Sequence, residues 1–199
     1  MVLSKDDKKA IKSQRVKDAF AQTAKDIIEQ SGVQAVSVRK VAEQSGYSLR
    51  TIYNYFTNLD ELLWHTRDLM LADIAEYFMN QNGEIKNDDD LKKIFRLFMD
   101  YFIQNPNVFF FFYCYPLDKS VTRSNKKIMN EPQVQAKFAQ TFQYMMQRGG
   151  YSMEAVGKAT YTIIYALYGM LTLYLSGNDE LTLDAIYKQL DDIVELMIN

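Results

Sequence analysis

Apolar and polar residues follow each other with a helical period along nearly the whole chain. Val16, Ala19, Phe20, Thr23, Ala24, Ile27 and Ile28 recur at the i, i+3, i+4, i+7 spacing of one helix face. Gly32 follows where a left-handed cap commonly ends a helix. A second helix is predicted from Ser37, whose hydroxyl suits the orphan N–H groups of a first turn, and it buries Val38, Val41 and Ala42 before Ser45-Gly46. A third, short helix runs from about Ser48 to Tyr55, with Ile52 and Phe56 one turn apart on its inner side. After Thr57, Asn58 caps a long fourth helix opening with Asp60 and Glu61, charges that suit the positive end of the helix dipole. Leu62, Thr66, Leu69, Met70, Ile74, Tyr77 and Phe78 share one face of it, to about Asn80.

Beyond a polar, acidic loop to Asp90, a fifth helix from about Asp89 to Gln104 buries Leu91, Ile94, Phe95, Phe98 and Phe102. The run from Val108 to Tyr115 has no period and fits either a strand or a buried helix. A lone strand among helices has no partner, so a short helix ended by Pro116 is the reading adopted. Pro132 suits the first turn of the next helix, which reaches Arg148 before Gly149-Gly150. Two more helices, about Met153–Ser176 and Leu183–Ile198, are separated by Gly177-Asn178. The fold class expected is all-α, with about nine helices.

Composition narrows this picture. With 8 Gly and 3 Pro in 199 residues, the chain lacks the turn residues of a β-sandwich or barrel. The single cysteine, Cys114, excludes an intramolecular disulfide and fits a reducing cytoplasm. The polar N-terminus has no apolar signal-peptide core. Ala159 to Asn178 carries no charge, but its tyrosines, threonines and glycines suit a buried or inter-subunit helix better than lipid, so no membrane partner is expected. The overall charge of −2 hides an asymmetry: residues 1–58 sum to +4 and residues 59–199 to −6. A basic head on an acidic body is the balance of a DNA-reading domain joined to a second domain, and 1–58 and 59–199 are the boundaries expected.

The stretch 37–56, SVRKVAEQSGYSLRTIYNYF, carries the chemistry. A helix-turn-helix needs a small residue where its helices cross, which Ala42 supplies, and a residue at ease with left-handed geometry in the turn, which Gly46 supplies. Ile52 anchors the second helix to the first. The outward face then presents Ser48, Arg50, Thr51, Tyr53, Asn54 and Tyr55 to a major groove.

Ser37-Val38-Arg39, Val41-Ala42, Gly46-Tyr47-Ser48, Thr51-Ile52-Tyr53, Tyr55-Phe56 and Glu61-Leu62, in that order, resemble the N-terminal signature of the tetracycline-repressor (TetR) family over about residues 10–64. The resemblance implies a three-helix DNA-binding domain followed by a helical ligand-sensing and dimerisation domain. Ser37, Tyr47, Tyr53 and Tyr55 would hold phosphates; Arg50 and Thr51 would read bases, with Arg39 and Asn54 as secondary readers. Leu49 would touch a thymine methyl or serve packing. Where the family usually has Lys just before the acidic start of the fourth helix, this chain has Leu59. The basic lead-in Lys5, Lys8, Lys9, Lys12 and Arg15 either reaches DNA or is a solvated tail.

The resemblance further implies that helices four to eight enclose a pocket and that the last two build a homodimer. The apolar stripe Ile186, Leu190, Ile193, Val194 and Met197 is the surface expected for that contact. Trp64, Phe98, Phe102, Phe112, Tyr113, Tyr144, Tyr161, Tyr165 and Tyr168 are the expected ligand contacts. They suit a flat or greasy, weakly charged molecule. Ligand beside the fourth helix would tilt it, and Thr57-Asn58 would pass the tilt to the head.

The function expected is a ligand-responsive repressor released from a palindromic double-stranded operator by a small effector. The alternative is a DNA-binding regulator whose second domain binds a protein. An enzyme is not expected: His65 and Cys114 are single, His65 has no nucleophile or carboxylate motif beside it, and Asp88-Asp89-Asp90 lacks the pattern of a calcium loop. No cofactor or metal is expected.

Overall fold

The computed structural model describes residues 4–81, 83–118, 132–177 and 181–198, with the side chains of 132–138 outside the description. Asn178, placed by the sequence in the last interhelical turn, and Asn82, in the acidic loop, lie outside the described residues. The described residues are all-α and hold nine α-helices: α1 Lys5–Ser31, α2 Val38–Ser45, α3 Leu49–Tyr53, α4 Leu59–Gln81, α5 Asp88–Gln104, α6 Pro106–Tyr113, α7 Pro132–Gly149, α8 Met153–Leu175 and α9 Leu183–Ile198.

The chain forms two compact units. The first takes the described residues of Met1–Ile74 and Asn107–Lys126, the second those of Ala75–Pro106 and Lys127–Asn199. The first unit holds more than residues 1–58: α4 as far as Ile74, and α6 after its first residue, pack with the head.

In the first unit, α1 starts earlier than its apolar period. The Ser4 hydroxyl accepts the Asp7 N–H and the Asp7 carboxylate accepts the Ser4 N–H, each at 3.1 Å, a reciprocal cap that makes the basic lead-in helical. Further along, α1 buries Phe20, Ala21, Ala24, Ile27 and Ile28, and it ends at Gly32 with φ 79°. Ala19, expected on the inner face, is exposed instead, because the face is centred one residue further round.

α4 lies between α1 and α6. On one side His65 Nε2 meets Asp18 Oδ1 at 2.9 Å and Lys25 Nζ donates to Asp73 at 2.5 Å. On the other, Trp64 Nε1 donates to the Asp118 carbonyl at 2.8 Å and Arg67 Nη2 to the Phe112 carbonyl at 3.2 Å. Neighbours on two sides explain why Leu63 is as buried as Leu62, where periodicity shows a single face. Thr66, also fully buried, donates its hydroxyl to the Leu62 carbonyl at 2.8 Å and so leaves no polar hydrogen unmet.

The phenylalanine run is a helix, as expected. Val108, Phe109, Phe111 and Phe112 are buried, spread round α6, and Asn107 Nδ2 ties its start to the Glu29 carbonyl of α1 at 2.9 Å.

In the second unit α5, α7, α8 and α9 pack Leu91, Phe95 and Met99 against Met145, Val156, Ile163, Leu167, Met170, Ile186, Leu190, Val194 and Ile198. One side of the α5–α9 seam is polar. Lys92 pairs with Glu195, Arg96 Nε with Asp191 at 2.9 Å, and the Tyr187 hydroxyl donates to Asp100. The four-residue steps run in opposite directions on the two helices, which fixes them as antiparallel neighbours in one register. Between α7 and the start of α5, Tyr144 donates to Asp88 at 2.6 Å and Arg148 Nε approaches the same carboxylate at 3.2 Å.

These phenols make the unit sensitive to alkali. Burial, then the bond to Asp88, pushes the Tyr144 hydroxyl from 10.0 up to about 12, and burial with Asp100 raises Tyr187 in the same direction. Above the ordinary tyrosine pKa the folded chain holds protons that the unfolded chain has lost, so this contribution to stability is complete below about pH 10 and fades towards about 12. The urea midpoint should fall more steeply over that range in the wild type than in a Tyr144→Phe/Tyr187→Phe variant. Equal falls would place the alkaline sensitivity elsewhere.

One expectation fails here. Of the stripe assigned to a dimer surface, Ile186, Leu190 and Val194 are fully buried in the unit's own core, and Ile193 and Met197 are half-buried against it. A stripe of that width faces whatever packs first, and α5 and α8 of the same chain do so.

Candidate nucleic-acid interface

The helix-turn-helix is built by local caps. The Ser37 oxygen accepts the Lys40 N–H at 3.2 Å and starts α2, leaving its hydroxyl hydrogen to donate elsewhere. Gly46 closes α2 in the left-handed region, φ 74°. Its N–H and that of Tyr47 return to Glu43 and Ala42 carbonyls at 3.3 and 3.0 Å. Ser48 starts α3 by accepting the Thr51 N–H at 3.1 Å, and its hydroxyl also meets Thr51 Oγ1 at 2.8 Å. Ala42 and Ile52 are buried where the two helices cross, and Phe56 closes the base.

Phe20 of α1 is the floor of this head. It is fully buried and has Tyr47 edge-on at 4.9 Å, with Tyr55 at 6.0 Å and Phe56 at 6.3 Å. Two residues expected to hold phosphates, Tyr47 and Tyr55, are thus braced by their rings on one core side chain. Leu49, Arg50 and Tyr53 of α3 and Asn54 at its end stand exposed, while Thr51 is half-buried and engaged with Ser48. Arg50 has no carboxylate partner among the described residues, so its guanidinium is ready for an acceptor. Arg39 is exposed too but leans on Glu43 at 3.0 Å, an exposed i, i+4 pair weak enough to yield to a phosphate. Ser37, Arg39, Tyr47, Ser48, Leu49, Arg50, Thr51, Tyr53, Asn54 and Tyr55 therefore lie on α2, α3, the turn between them and the residues that cap or directly follow these helices.

Residues outside that set hold the head to α4; the sequence marks Asn58 as the cap, but not the bonds of Thr57 to Glu61 or the place of His65. Glu61 accepts both the N–H and the hydroxyl of Thr57, at 2.7 and 2.9 Å, while Asn58 Oδ1 accepts the Glu61 N–H at 2.8 Å. With the Asp18–His65 contact and the His65 ring 5.8 Å from Phe56, the Thr57-Asn58 joint is pinned rather than loose. His65, which has no motif around it in the sequence, is a tie between α1 and α4. Leu59, where the resemblance calls for a lysine, is half-buried at the start of α4.

The nine expected ligand contacts divide between the units. In the first, Trp64 and Phe112 flank the Arg67 guanidinium at 5.3 and 5.1 Å, and Tyr113 is exposed. In the second, Phe98 meets Phe102 at 4.8 Å and Tyr168 at 5.9 Å, joined by Phe78 and Tyr101, two rings outside the expected set. Tyr144 is held by Asp88. Tyr161 and Tyr165 stack on each other at 6.2 Å on the outer face of α8, at 62% and 67% exposure, so they line no interior space. A shallow groove of about 500 Å³ is lined by Ala139, Phe142, Gln143, Met146, Gln147 and Met153, and none of the nine lines it. No helix among the described residues is long and apolar enough to cross a membrane.

Residues 21–65 match the family model for bacterial regulatory proteins of the tetR family. No curated protein matches the sequence. Solved structures share the fold along most of the chain. A tetR-family transcription regulator from Shewanella sp. PV-4 is 14% identical, with TM-score 0.64, over 89% of this chain and 95% of that one. RolR in complex with resorcinol is 13% identical, with TM-score 0.66, over 94% and 89%. FadR from Bacillus subtilis in complex with stearoyl-CoA is 17% identical, with TM-score 0.60, over 91% and 97%. Residues 21–65 are thus similar to the reading head of tetR-family regulatory proteins, with α3 exposed and braced from below, and the chain shares the fold of solved tetR-family regulators along most of its length.

Proposed function

We propose that the protein is a homodimeric repressor that reads a palindromic operator through α3 and is released by a small apolar or aromatic effector. The observation that carries the reading is Arg50. It is an exposed guanidinium without a carboxylate partner among the described residues, on a helix whose base is fixed by Ile52 and Phe56. Such a group is suited to bidentate contact with guanine, with Thr51 and Asn54 beside it, and Ser37, Tyr47, Tyr53 and Tyr55 set the register on phosphates. As a DNA reader without a membrane-spanning helix among its described residues, it is assigned to the cytoplasm.

The second copy is assigned to the outer face of α8. Tyr161, Thr162, Tyr165, Gly169, Thr172 and Leu173 are exposed on one side of that helix and carry no charge. Gly169 has open space where a side chain would stand. Leu196 of α9, 73% exposed, adds to the same kind of surface. An uncharged face of this length, not the buried stripe of α9, is what a partner helix would cover.

The effector is assigned to the second unit, at the aromatic group of Phe78, Phe98, Tyr101, Phe102 and Tyr168. A ring system seated there would meet aromatic faces and two tyrosine hydroxyls. Resorcinol and stearoyl-CoA, bound by two of the structural neighbours, set the chemical range to search: a small phenol at one end and an acyl chain at the other. Because α4 runs from the head to Gln81, an effector that displaces its second half would move the head as one body, rather than bend the pinned joint at Thr57-Asn58.

Sedimentation of the wild type and of Tyr165→Glu/Leu173→Glu tests the assembly. The wild type should run as a dimer; the variant should run as a folded monomer with weaker binding to palindromic DNA. A variant that stays dimeric would remove α8 from the interface. A chain that binds DNA but is released by no phenol or acyl compound would favour the protein-partner alternative.

A further inference from the structure

The first turns of α1 have no role in the head's core. From Ser4 to Lys12 every residue is exposed, so more than two helical turns stand clear of the packed unit. Lys5, Lys8, Lys9, Lys12 and Arg15 recur at helical spacing on this extension and fall within about a third of the helix circumference. Asp6 and Asp7 lie outside that arc, and the Asp7 carboxylate is engaged in the cap with Ser4. None of the five cations has a carboxylate partner among the described residues. The extension is a capped, helical basic ridge, not an irregular tail.

Its base is anchored beside the reading elements. Lys17 Nζ sits 5.7 Å over the Phe56 ring, and Phe20 carries Tyr47 and Tyr55, so α1 leaves the core where the residues flanking α3 meet it. We propose that this ridge is a second DNA contact, lying along duplex phosphates and supplying affinity that is independent of base sequence. The proposal rests on the reading of α3 as the DNA-reading helix and extends the same interface.

The chemistry favours DNA over other polyanions. Successive rows of cations on a helix rise about 5 Å per turn, close enough to engage a backbone carrying one charge per about 3.4 Å of axis on each strand. Lysines need no fixed geometry to do so, and a segment already helical has less backbone freedom to lose on binding than an irregular one. An anionic membrane is the poorer match, because an interfacial helix needs an apolar face, and Ala10 and Ile11 are the only apolar residues between Lys5 and Arg15.

The test is a salt titration of binding to a duplex from the gene's own upstream region and to a scrambled duplex of equal length. The chain compared with wild type carries Lys5→Gln, Lys8→Gln, Lys9→Gln, Lys12→Gln and Arg15→Gln. Glutamine keeps the helix propensity of lysine, and circular dichroism checks that the helix remains. The slope of log K against log salt should become shallower by about one unit for each phosphate no longer neutralised, roughly three to five per chain. Affinity for both duplexes should drop by the same factor, and the preference between them should persist. A companion with the four lysines replaced by arginine should retain the wild-type slope.

An unchanged slope in the glutamine variant, with wild-type preference for its own duplex, would overturn the ridge and leave the α3 reading standing. A variant that loses preference along with affinity would also overturn it, since phosphate contacts carry no base preference. A wild type that prefers neither duplex would remove the α3 reading itself. Charge-dependent binding to an acidic polypeptide or to phosphatidylserine vesicles, with the DNA slope unchanged, would reassign the ridge to that partner.

Discussion

Phe20→Ala should cost the head about 3–5 kcal/mol, the range for truncating a fully buried phenylalanine, and abolish operator binding with it. The magnitude follows from what the ring supports. Phe20 is inaccessible to solvent and touches Tyr47, Tyr55 and Phe56, one residue from the turn and two from the end of the helix-turn-helix. Its removal leaves a cavity beneath both tyrosines and forfeits the edge-on contact to Tyr47 and the tilted one to Tyr55. A whole domain is stable by only about 5–15 kcal/mol, so one such loss is a large share of the total. Urea unfolding followed by circular dichroism reads the effect, and Phe20→Leu should recover most of it. A Phe20→Ala protein within about 0.5 kcal/mol of wild type would show that the tyrosines are held by something else.

Arg50→Ala has the largest expected effect on recognition with the fold intact. The side chain is exposed and unpaired with any carboxylate among the described residues, so truncation disturbs no packing. A bidentate contact to guanine is worth about 1–3 kcal/mol of discrimination, so affinity for the operator should drop about 5- to 150-fold. Affinity for scrambled DNA should change little, which separates this residue from the lysines of α1. The same variant should unfold at the wild-type urea midpoint. Loss on both duplexes alike would make Arg50 a phosphate contact and pass base reading to Thr51 and Asn54.

The two substitutions probe different levels of organisation, and the sequence was legible at those levels to different degrees. Most caps that decide the helix-turn-helix were readable: Ser37, Gly46 and Asn58 each act on backbone groups within four residues, whereas Ser48, expected as a groove contact, also caps α3. The α6 run was also readable as a helix, because exclusion of an unpaired strand needs only the neighbouring elements. The start of α1 was not. Its apolar period begins at Val16, and the Ser4–Asp7 cap that extends it to Lys5 carries no apolar signal.

The ligand contacts show the limit more sharply. Tyr161 and Tyr165 are chemically suited to a pocket, yet the register of α8 turns them outward, while Phe78 and Tyr101 gather at Phe98. An aromatic side chain serves a core, a cavity or an interface equally well. Only the helices packed on either side decide among the three.

What the sequence determined by itself was the all-α class, the helix-turn-helix and the outward face of α3, because each rests on periods and caps spanning about one helical turn. What the tertiary structure decided was how those helices are shared out: α4 to Ile74 joined to the head, His65 set against Asp18, Arg67 between Trp64 and Phe112, and the α9 stripe closed inside its own unit. The physical reason is that a helix face records that something must cover it but not what does. Which neighbour arrives depends on pairings tens of residues apart, such as Asp18 with His65 or Arg96 with Asp191, and no local period encodes them.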